Sequence, residues 1–408
     1  YSENFHFPEL TVPPELVKHP GFVPSQAANI KSAVTIPVIG LGNIDPSLGE
    51  WLVANGKADA IAMGRRLLAD PDLPRKVAEG RLEDIRHCMH GLECRSEFKK
   101  FTPNHCRVNA ALGKEREFRI IPVMRKKRIV VVGGGPSGME AARVAASRGH
   151  EVILYDRNTR LGGSLNIAAL VKDKRVEDVP SLVHYFEAQL RKLNVQLRLN
   201  QEFDITEARR VKPDAVISAV GGKAVIPDIP GINQSNVITG EALMRRAMPF
   251  INLLGPDAVI QLSRLWLPLG RRVLIIGGQL HGAQLAAFLV KRGRRITMVD
   301  ESDRLGEGIS IVYKQRLLDW LEGRGSALYK QTRVTQISGK RATLQGEDGK
   351  ETVVDFDTAI VVLPTVPNPE LAELLRKEVA EVHSIGDSLE PRLILGAIAS
   401  GAKVGNSI

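Results

Sequence analysis

The sequence has few cysteines, few aromatic residues and no long apolar run, and each scarcity argues against a class of protein. Only three of the 408 residues are cysteines, and they are clustered. This does not suit a secreted disulfide framework, so we expect a reducing cytoplasm. No uninterrupted run of about 18 apolar residues occurs, so we expect no membrane span.

The net charge of +10 does not by itself predict a nucleic-acid partner. Lysine and arginine are spread along the whole chain, and aromatic residues, which would stack on bases, make up only 5% of it. A solvated basic surface that also attracts anionic coenzymes is the better interpretation. The opening residues, YSENFHFPEL, show neither an initiator methionine nor a signal peptide. We expect the chain to be part of a longer polypeptide or one subunit of a split one.

The strongest local signal is a glycine-rich turn within residues 126–156. A short apolar run from Ile129 to Val132 predicts a buried parallel strand, followed by the turn, an alanine-rich helix and a second strand. Such glycines permit a tight turn, admit a pyrophosphate to the helix N-terminus and let helix and strand pack closely, while an acid binds ribose. The candidate site residues are Gly133, Gly135, Gly138, Asp156 and Arg157.

A second unit of the same kind spans residues 270–301. Its candidate site residues are Gly277, Gly278, Gly282 and Asp300. Gln279 stands where the second glycine of the pattern would be, so its side chain crowds a pyrophosphate unless the turn shifts to use Gly278. Asp300 and Glu301 would repel a 2′-phosphate, which favours NADH over NADPH.

The remaining C-terminal elements resemble the two-dinucleotide flavoprotein disulfide reductases. Strands at 214–232 and 357–369 lead into Gly/Pro-rich crossings, and a last strand runs into Gly386-Asp387 before a helix of small residues. The resemblance implies an FAD domain interrupted by an NAD(P)H domain. It also implies that Asp387 binds the ribityl chain and that Gly162 and Gly163 lie near the flavin. The redox-active CxxC of those enzymes is absent, since no cysteine follows Cys106.

Residues 21–115 suggest another route for electrons. Two consecutive strand–turn–helix units match the last two strands of a (β/α)8 barrel, where flavin phosphates commonly bind. A cysteine stretch, CMHGLECRSEFKKFTPNHC, follows at 88–106. The order of barrel end, cysteines, FAD domain and NAD domain resembles the trimethylamine dehydrogenase/2,4-dienoyl-CoA reductase family over essentially the whole chain. Within it the chain looks most like anaerobe-type enoyl- and aryl-CoA reductases such as 2-naphthoyl-CoA reductase.

This resemblance implies two further cofactor sites. Gly42, Asn43, Gly64 and Arg65 would hold the FMN phosphate. The family's C-x2-C-x2-C-x11-C cluster motif falls on Cys88, Gly91, Cys94 and Cys106, so its second ligand is missing. Three outcomes stay open: a [4Fe–4S] cluster completed by water, His90 or His105, a [3Fe–4S] cluster on the cysteines Cys88, Cys94 and Cys106, or an empty site.

The expected fold is α/β: the C-terminal end of a TIM barrel followed by two nested Rossmann-like domains. The predicted units are a barrel part (1–86), a cysteine segment (87–118), an FAD domain (119–240 and 356–408) and an NAD(P)H domain (241–355). An amphipathic insert at 242–270 is interrupted by charges such as Arg245 and Asp257, which predicts a helix packed between domains rather than a membrane anchor.

The resemblance implies that electrons pass from NADH through FAD, the cluster and FMN to an activated C=C bond of an enoyl- or aryl-CoA-like substrate. Two alternatives are an amine dehydrogenase of the same architecture and an electron-transfer subunit that never meets substrate. The substrate pocket and its proton donor lie on barrel strands outside this sequence, so no catalytic residue is assigned. We also expect an oligomer, whose barrel is completed by a partner subunit or by a further N-terminal segment.

Overall fold

The computed structural model describes residues 22–94, 104–172, 177–254 and 256–408. The first elements are α1 (Phe22–Ala33), β1 (Ile39–Gly40), α2 (Pro46–Ala54), β2 (Ala60–Ile61), α3 (Gly64–Ala69), α4 (Leu73–Ala78) and the 3₁₀ turn η1 (Leu82–Asp84). Next come β3 (Arg128–Val132), α5 (Pro136–Ser147), β4 (Glu151–Asp156), α6 (Ser164–Val171), α7 (Val179–Lys192), β5 (Gln196–Leu199), α8 (Ile205–Val211), β6 (Ala215–Ser218), β7 (Val237–Thr239), α9 (Gly240–Leu254) and α10 (Pro256–Leu265). The last are β8 (Arg272–Ile276), α11 (Leu280–Val290), β9 (Arg295–Val299), α12 (Ile311–Glu322), β10 (Ala327–Tyr329), β11 (Thr332–Ser338), β12 (Arg341–Gly346), β13 (Glu351–Asp355), β14 (Thr358–Val361), α13 (Glu370–Leu375), β15 (Glu381–Ser384), the 3₁₀ turn η2 (Gly386–Ser388) and α14 (Ile394–Ser407).

The N-terminal part contains the two strand–turn–helix units predicted from the sequence. β1 and β2 are parallel neighbours, with Gly40 opposite Ile61. Asp45 begins α2 by accepting a hydrogen bond from the Leu48 N–H at 2.8 Å, and Pro46 supplies a helix-compatible φ. Because parallel strands end at the same edge, the turns after β1 and β2 lie side by side.

Two five-stranded parallel sheets form the body of the chain. Their strand orders are β15-β6-β3-β4-β5 and β10-β9-β8-β14-β7. β3 and β8 are the central strands, and their core positions are almost fully buried, as their unbroken apolar runs predict. Helices cover both faces of the first sheet, whereas the second sheet has helices on one face and the antiparallel sheet β11-β12-β13 on the other. The two sheets share one spatial arrangement around β3 and β8, but the edge strand β7 is the first of its sheet along the chain, whereas the equivalent edge strand β15 is the last. The predicted pair of Rossmann-like units is confirmed.

The sheets divide the chain slightly differently from the predicted boundaries. β7 and β14 both belong to the second sheet, in which β14 pairs with β8 on one side and β7 on the other. The predicted limits at 240 and 356 would group both strands with the first sheet. The two crossings between the sheets pair with each other through reciprocal backbone hydrogen bonds of 2.9 Å between Lys223 and Val366.

The amphipathic insert is a pair of helices, α9 and α10. α10 packs on α6 of the first unit. On its other side, the Arg292 Nε donates to Ser263 Oγ at 2.8 Å, which ties α10 to the end of α11 in the second unit. The insert is therefore packed between the two units, as predicted. Among the described residues, no helix has the length and apolar character needed to cross a bilayer.

The C-terminal helix α14 packs along α5, the helix that follows the first glycine-rich turn. The approach is close because α14 presents glycine at residues 401 and 405. A Cβ added at Gly405 would lie 2.8 Å from the Ala141 carbonyl oxygen, and one at Gly401 would collide with the Ser137 carbonyl oxygen. The packing of α14 therefore fixes the position of the helix N-terminus to which the glycine turn leads.

Candidate functional site

The first glycine-rich turn has the geometry of a dinucleotide-binding loop. Gly133 has a φ of 108°, a conformation that favours glycine, and a Cβ there would collide with the Ala219 carbonyl oxygen. A Cβ on Gly138 would collide with the Gly133 carbonyl oxygen. Gly135 differs, because it has an ordinary backbone conformation (φ −75°, ψ −179°) and open space around its Cβ position. Its lack of a side chain leaves a cradle in front of the helix N-terminus.

Asp156 stabilises this turn from the end of β4. Its side chain is 6% exposed, and its Oδ2 accepts a hydrogen bond from the Gly134 N–H at 2.7 Å. Its Oδ1 accepts from the Asn158 backbone N–H at 2.7 Å and from Asn158 Nδ2 at 2.9 Å. A carboxylate has about four acceptor positions, so one is still available to a ribose hydroxyl. The neighbouring Arg157 is exposed.

The glycines of the second turn have the same backbone conformation and the same close contacts as those of the first. Gly277 has a φ of 109°, and a Cβ on Gly282 would collide with the Gly277 carbonyl oxygen. The Gly278 N–H donates to Asp300 Oδ2 at 2.6 Å, as Gly134 does to Asp156. Asp300 Oδ1 accepts from the Ser302 N–H at 2.9 Å and Oγ at 2.6 Å. The turn has not shifted, so Gln279 is aligned with Gly135.

A second loop contacts each turn. The Gly162 N–H donates to the Gly134 carbonyl oxygen at 2.8 Å, and the Gly306 N–H donates to the Gly278 carbonyl oxygen at the same distance. A Cβ on Gly163 would lie 3.2 Å from the Gly135 Cα, so this loop borders the cradle. Sequence reasoning found only the first loop. The repeated letters RLGG (160–163) and RLGE (304–307) are the signal that was missed.

Gly386 and Asp387 lie in the turn that follows the edge strand β15, and this turn borders the first site. A Cβ on Gly386 would lie 2.5 Å from Ser137 Oγ, which places this turn against the N-terminus of α5. Asp387 accepts a hydrogen bond from the Arg392 N–H at 3.0 Å, and burial raises the pKa of its carboxyl. The structure thus brings the turns containing Gly135, Gly163 and Asp387 together around an open cradle. This arrangement fits an FAD pyrophosphate and ribityl chain.

The proposed FMN-phosphate residues lie on neighbouring turns, as expected from their strands. Gly42 and Asn43 follow β1, while Gly64 and Arg65 begin α3 directly after β2. A Cβ on Gly64 would meet nothing within 4 Å, so this turn is open. The Asn43 side chain is bonded to the cysteine segment, because its Oδ1 lies 2.7 Å from His90 Nε2. That link between the barrel part and the cysteines was not predicted.

The three cysteines are half-buried and form no disulfide. Burial raises the pKa of the Cys106 thiol, while hydrogen bonds from the backbone of Val108 and Asn109 oppose the rise. Among the described residues, no three His, Cys, Asp or Glu side chains converge as the ligands of one metal ion. The thiolates that hold an iron–sulfur cluster bind different irons and need not converge on one point.

The missing second ligand position has an unexpected neighbour. A Cβ on Gly91 would lie 2.6 Å from Arg107 Cζ and 2.5 Å from Glu93 Oε2. Arg107 is 8% exposed and forms ion pairs with Glu93 and Glu177. Burial lowers its pKa to about 10, and the Cys88 thiolate opposes this shift. Sequence reasoning overlooked Arg107, although it directly follows Cys106.

Comparisons with known proteins place these features in a family context. A model of the pyridine nucleotide-disulphide oxidoreductases matches residues 61–178 and 127–386, and one of the NADH:flavin oxidoreductase/NADH oxidase family matches residues 15–84. A bilirubin reductase of Mediterraneibacter gnavus is 34% identical over 90% of this chain and 54% of its own length. An NADH oxidase of Thermoanaerobacter brockii is 31% identical over 93% of this chain and 56% of its own length.

A solved structure of a similar protein also resembles this chain over nearly its whole length. The complex of 2-naphthoyl-CoA reductase with 2-naphthoyl-CoA has a TM-score of 0.83 at 29% identity, covering 96% of this chain and 57% of that one. Proteins named dimethylamine dehydrogenase and N,N-dimethylglycine/sarcosine dehydrogenase also match. This chain spans about half the length of the curated relatives that it matches. The family resemblance seen in the sequence is confirmed, for the C-terminal portion of such proteins.

Proposed function

This chain belongs to the pyridine nucleotide-disulphide oxidoreductase family, and from that premise we propose that it is the NADH-oxidising, electron-relaying half of a two-flavin reductase. One observation carries the proposal. Two glycine turns with the same backbone geometry, at Gly133 and Gly277, lie at the carboxyl ends of two equivalent parallel sheets. The first turn has open space at Gly135, and the second turn has Gln279 at the same position. We assign FAD to the first turn and NADH to the second.

The chain's own residues would bind and orient the cofactors. Backbone N–H groups at the start of α5 and α11 would face the two pyrophosphates. Asp156 and Asp300 would stabilise their turns and accept hydrogen bonds from ribose hydroxyl groups. Gly42, Asn43, Gly64 and Arg65 would hold the FMN phosphate, and Cys88, Cys94 and Cys106 the cluster. When bound, these groups would carry hydride from NADH to FAD and single electrons through the cluster to FMN. Three free thiols suit a cytoplasmic location.

The substrate we propose carries an activated C=C bond, as in an enoyl- or aryl-CoA thioester. The relative named bilirubin reductase and the neighbour with bound 2-naphthoyl-CoA support a reductive direction. The amine dehydrogenases among the relatives support the alternative function, in which electrons flow in the opposite direction and an amine gives hydride to FMN. An assay of the complete enzyme with both substrate classes would separate these two functions.

The barrel part needs further strands to form a substrate pocket. β1 and β2 make a two-stranded sheet, and large apolar side chains stand exposed around it, including Ile36 at 67%, Ile39 at 60% and Trp51 at 54%. Exposed apolar groups of this size mark a surface that another element covers. We propose that the remaining barrel strands cover it, supplied by a further segment or a partner subunit.

The first test is the cofactor content of the protein purified without oxygen. We expect bound FAD, about three or four irons with matching sulfide, and bleaching of the flavin absorbance on addition of NADH. FAD that NADH reduces in a protein without iron would contradict the relay and favour an electron-transfer module completed by a partner. A protein that binds no FAD would contradict the assignment of the first turn.

Replacing Gln279 by glycine should strengthen NADH binding by about tenfold. Gln279 has an ordinary backbone conformation (φ −71°, ψ −163°), so glycine is accepted there and removes only the side chain that crowds the pyrophosphate. The measurement is the NADH concentration that gives half-maximal flavin reduction. Gln279→Leu is the matched control and should bind NADH no better than the parent. An unchanged value in Gln279→Gly would mean that the side chain lies outside the pyrophosphate path.

A further inference from the structure

The position of the missing cluster ligand is already filled. Gly91 has none of the positive φ angles that demand glycine, so its backbone would accept any residue. Only space opposes a side chain, because a Cβ would lie 2.5 Å from Glu93 Oε2, 2.6 Å from Arg107 Cζ and 2.8 Å from Arg107 Nε. The ion pair of Arg107 and Glu93 therefore occupies the place toward which a cysteine at residue 91 would point, and Arg107 holds the Glu93 carboxylate there.

Arg107 is held in that place. Its side chain is 8% exposed and is paired with the carboxylates of Glu93 and Glu177. Lys172 Nζ lies 2.6 Å from Glu177 Oε2 and fixes the second carboxylate in turn. Moving the guanidinium would remove the cation that pairs with Glu93 and one of the two that pair with the buried Glu177, which is costly. Arg107 is thus a fixed part of the cysteine site, not a surface side chain that can swing away.

The Nη1 and Nη2 atoms of Arg107 contact the carboxylates of Glu177 and Glu93, whereas Nε contacts neither of them. Within the described part of the chain, no acceptor bonds Arg107 Nε, although the atom is buried. Buried N–H groups are nearly always satisfied, so an unpaired one beside a ligand site points to an acceptor belonging to the ligand. The inorganic sulfides of an iron–sulfur cluster are such acceptors, and hydrogen bonds to them adjust its potential.

We propose that the site holds a three-iron, four-sulfide cluster on Cys88, Cys94 and Cys106, with Arg107 capping the corner that lacks an iron. A fourth iron would need a ligand at residue 91, where the chain offers a glycine whose neighbours are the paired side chains of Arg107 and Glu93. Three thiolates match three irons, and the open corner exposes sulfides toward the guanidinium. The inference rests on the proposed function in that it assumes the cysteine segment binds a cluster.

The test compares four forms of the protein by iron and sulfide content and by EPR before and after reduction. A three-iron cluster is paramagnetic when oxidised, and a four-iron cluster of this type when reduced. We expect about three irons and an oxidised-state signal in the parent and in Gly91→Cys, because Arg107 excludes the new thiol. Gly91→Cys/Arg107→Ala should gain an iron and a reduced-state signal. Arg107→Ala alone should keep about three irons at a lower midpoint potential.

Each other result decides against the inference in an identifiable way. Four irons in the parent, or in Gly91→Cys alone, would overturn the role of Arg107 while leaving the relay intact. Iron absent from all forms that still hold FAD would refute the relay and this inference together. A double variant that keeps FAD but stays at three irons would also overturn it. If the double variant does not fold, Gly91→Ala decides: crowding by Arg107 should lower its melting temperature, and an unchanged value would overturn the inference.

Discussion

Replacing Gly135 by valine is expected to abolish FAD binding without unfolding the protein. The backbone of Gly135 (φ −75°, ψ −179°) is extended and accepts any residue, and no atom lies within 4 Å of an added Cβ. The valine side chain would therefore stand in the cradle and not in the core. We expect affinity for FAD to fall by at least about 100-fold, or ~2.7 kcal/mol. Flavin content after purification and titration of the apoprotein with FAD measure the effect.

The matched control changes the equivalent residue of the second turn. Gln279→Val should retain a full complement of FAD, because it lies in the other unit. Apoprotein forms must be compared for stability, since bound FAD itself raises the melting temperature. The Gly135→Val apoprotein should have the same melting temperature as the parent apoprotein. A variant that keeps FAD at the parental affinity would show that the pyrophosphate does not approach residue 135.

The glycine turns were predictable because their geometry depends on residues close in sequence. The strand, turn, helix and second strand around Gly133 lie within 31 residues, residues 126–156. Collisions at Gly133 and Gly138 involve backbone atoms of the same fold, so no other residue type satisfies the turn. The same reasoning located the second unit. It also identified Gln279 as a departure from the pattern, and the structure places it in register with Gly135.

The surroundings of the cysteines were not predictable in the same way. Arg107 is paired with Glu177, 70 positions later in the chain, and no local pattern announces that contact. The bond between His90 and Asn43 likewise joins segments 47 residues apart. The domain limits predicted at 240 and 356 group β7 and β14 with the first sheet, because no local pattern in these short strands shows which sheet they join. Which sheet they join depends on tertiary pairing with β8.

Replacing Gly401 by alanine should destabilise the protein, although alanine is the better helix former. In an open helix the change would stabilise by roughly 0.5–1 kcal/mol. Here the new methyl group would collide with the Ser137 carbonyl oxygen of α5, and backbone cannot rotate away as a side chain can. We expect a net loss of about 2 kcal/mol and a fall in melting temperature of about 4–8 °C. Thermal unfolding of the apoprotein measures it, since bound FAD itself raises the melting temperature.

The change should also weaken FAD binding, because α14 positions the N-terminus of α5 and the turn at Gly386. Gly405→Ala should behave in the same way with a smaller effect, since its Cβ would lie 2.8 Å from the Ala141 carbonyl oxygen. The exposed Lys403, on the same helix, is the control, and Lys403→Ala should change stability by no more than about 0.5 kcal/mol. A Gly401→Ala protein as stable as Lys403→Ala would show that α14 is not packed closely on α5. The cradle would then depend on its own turn alone.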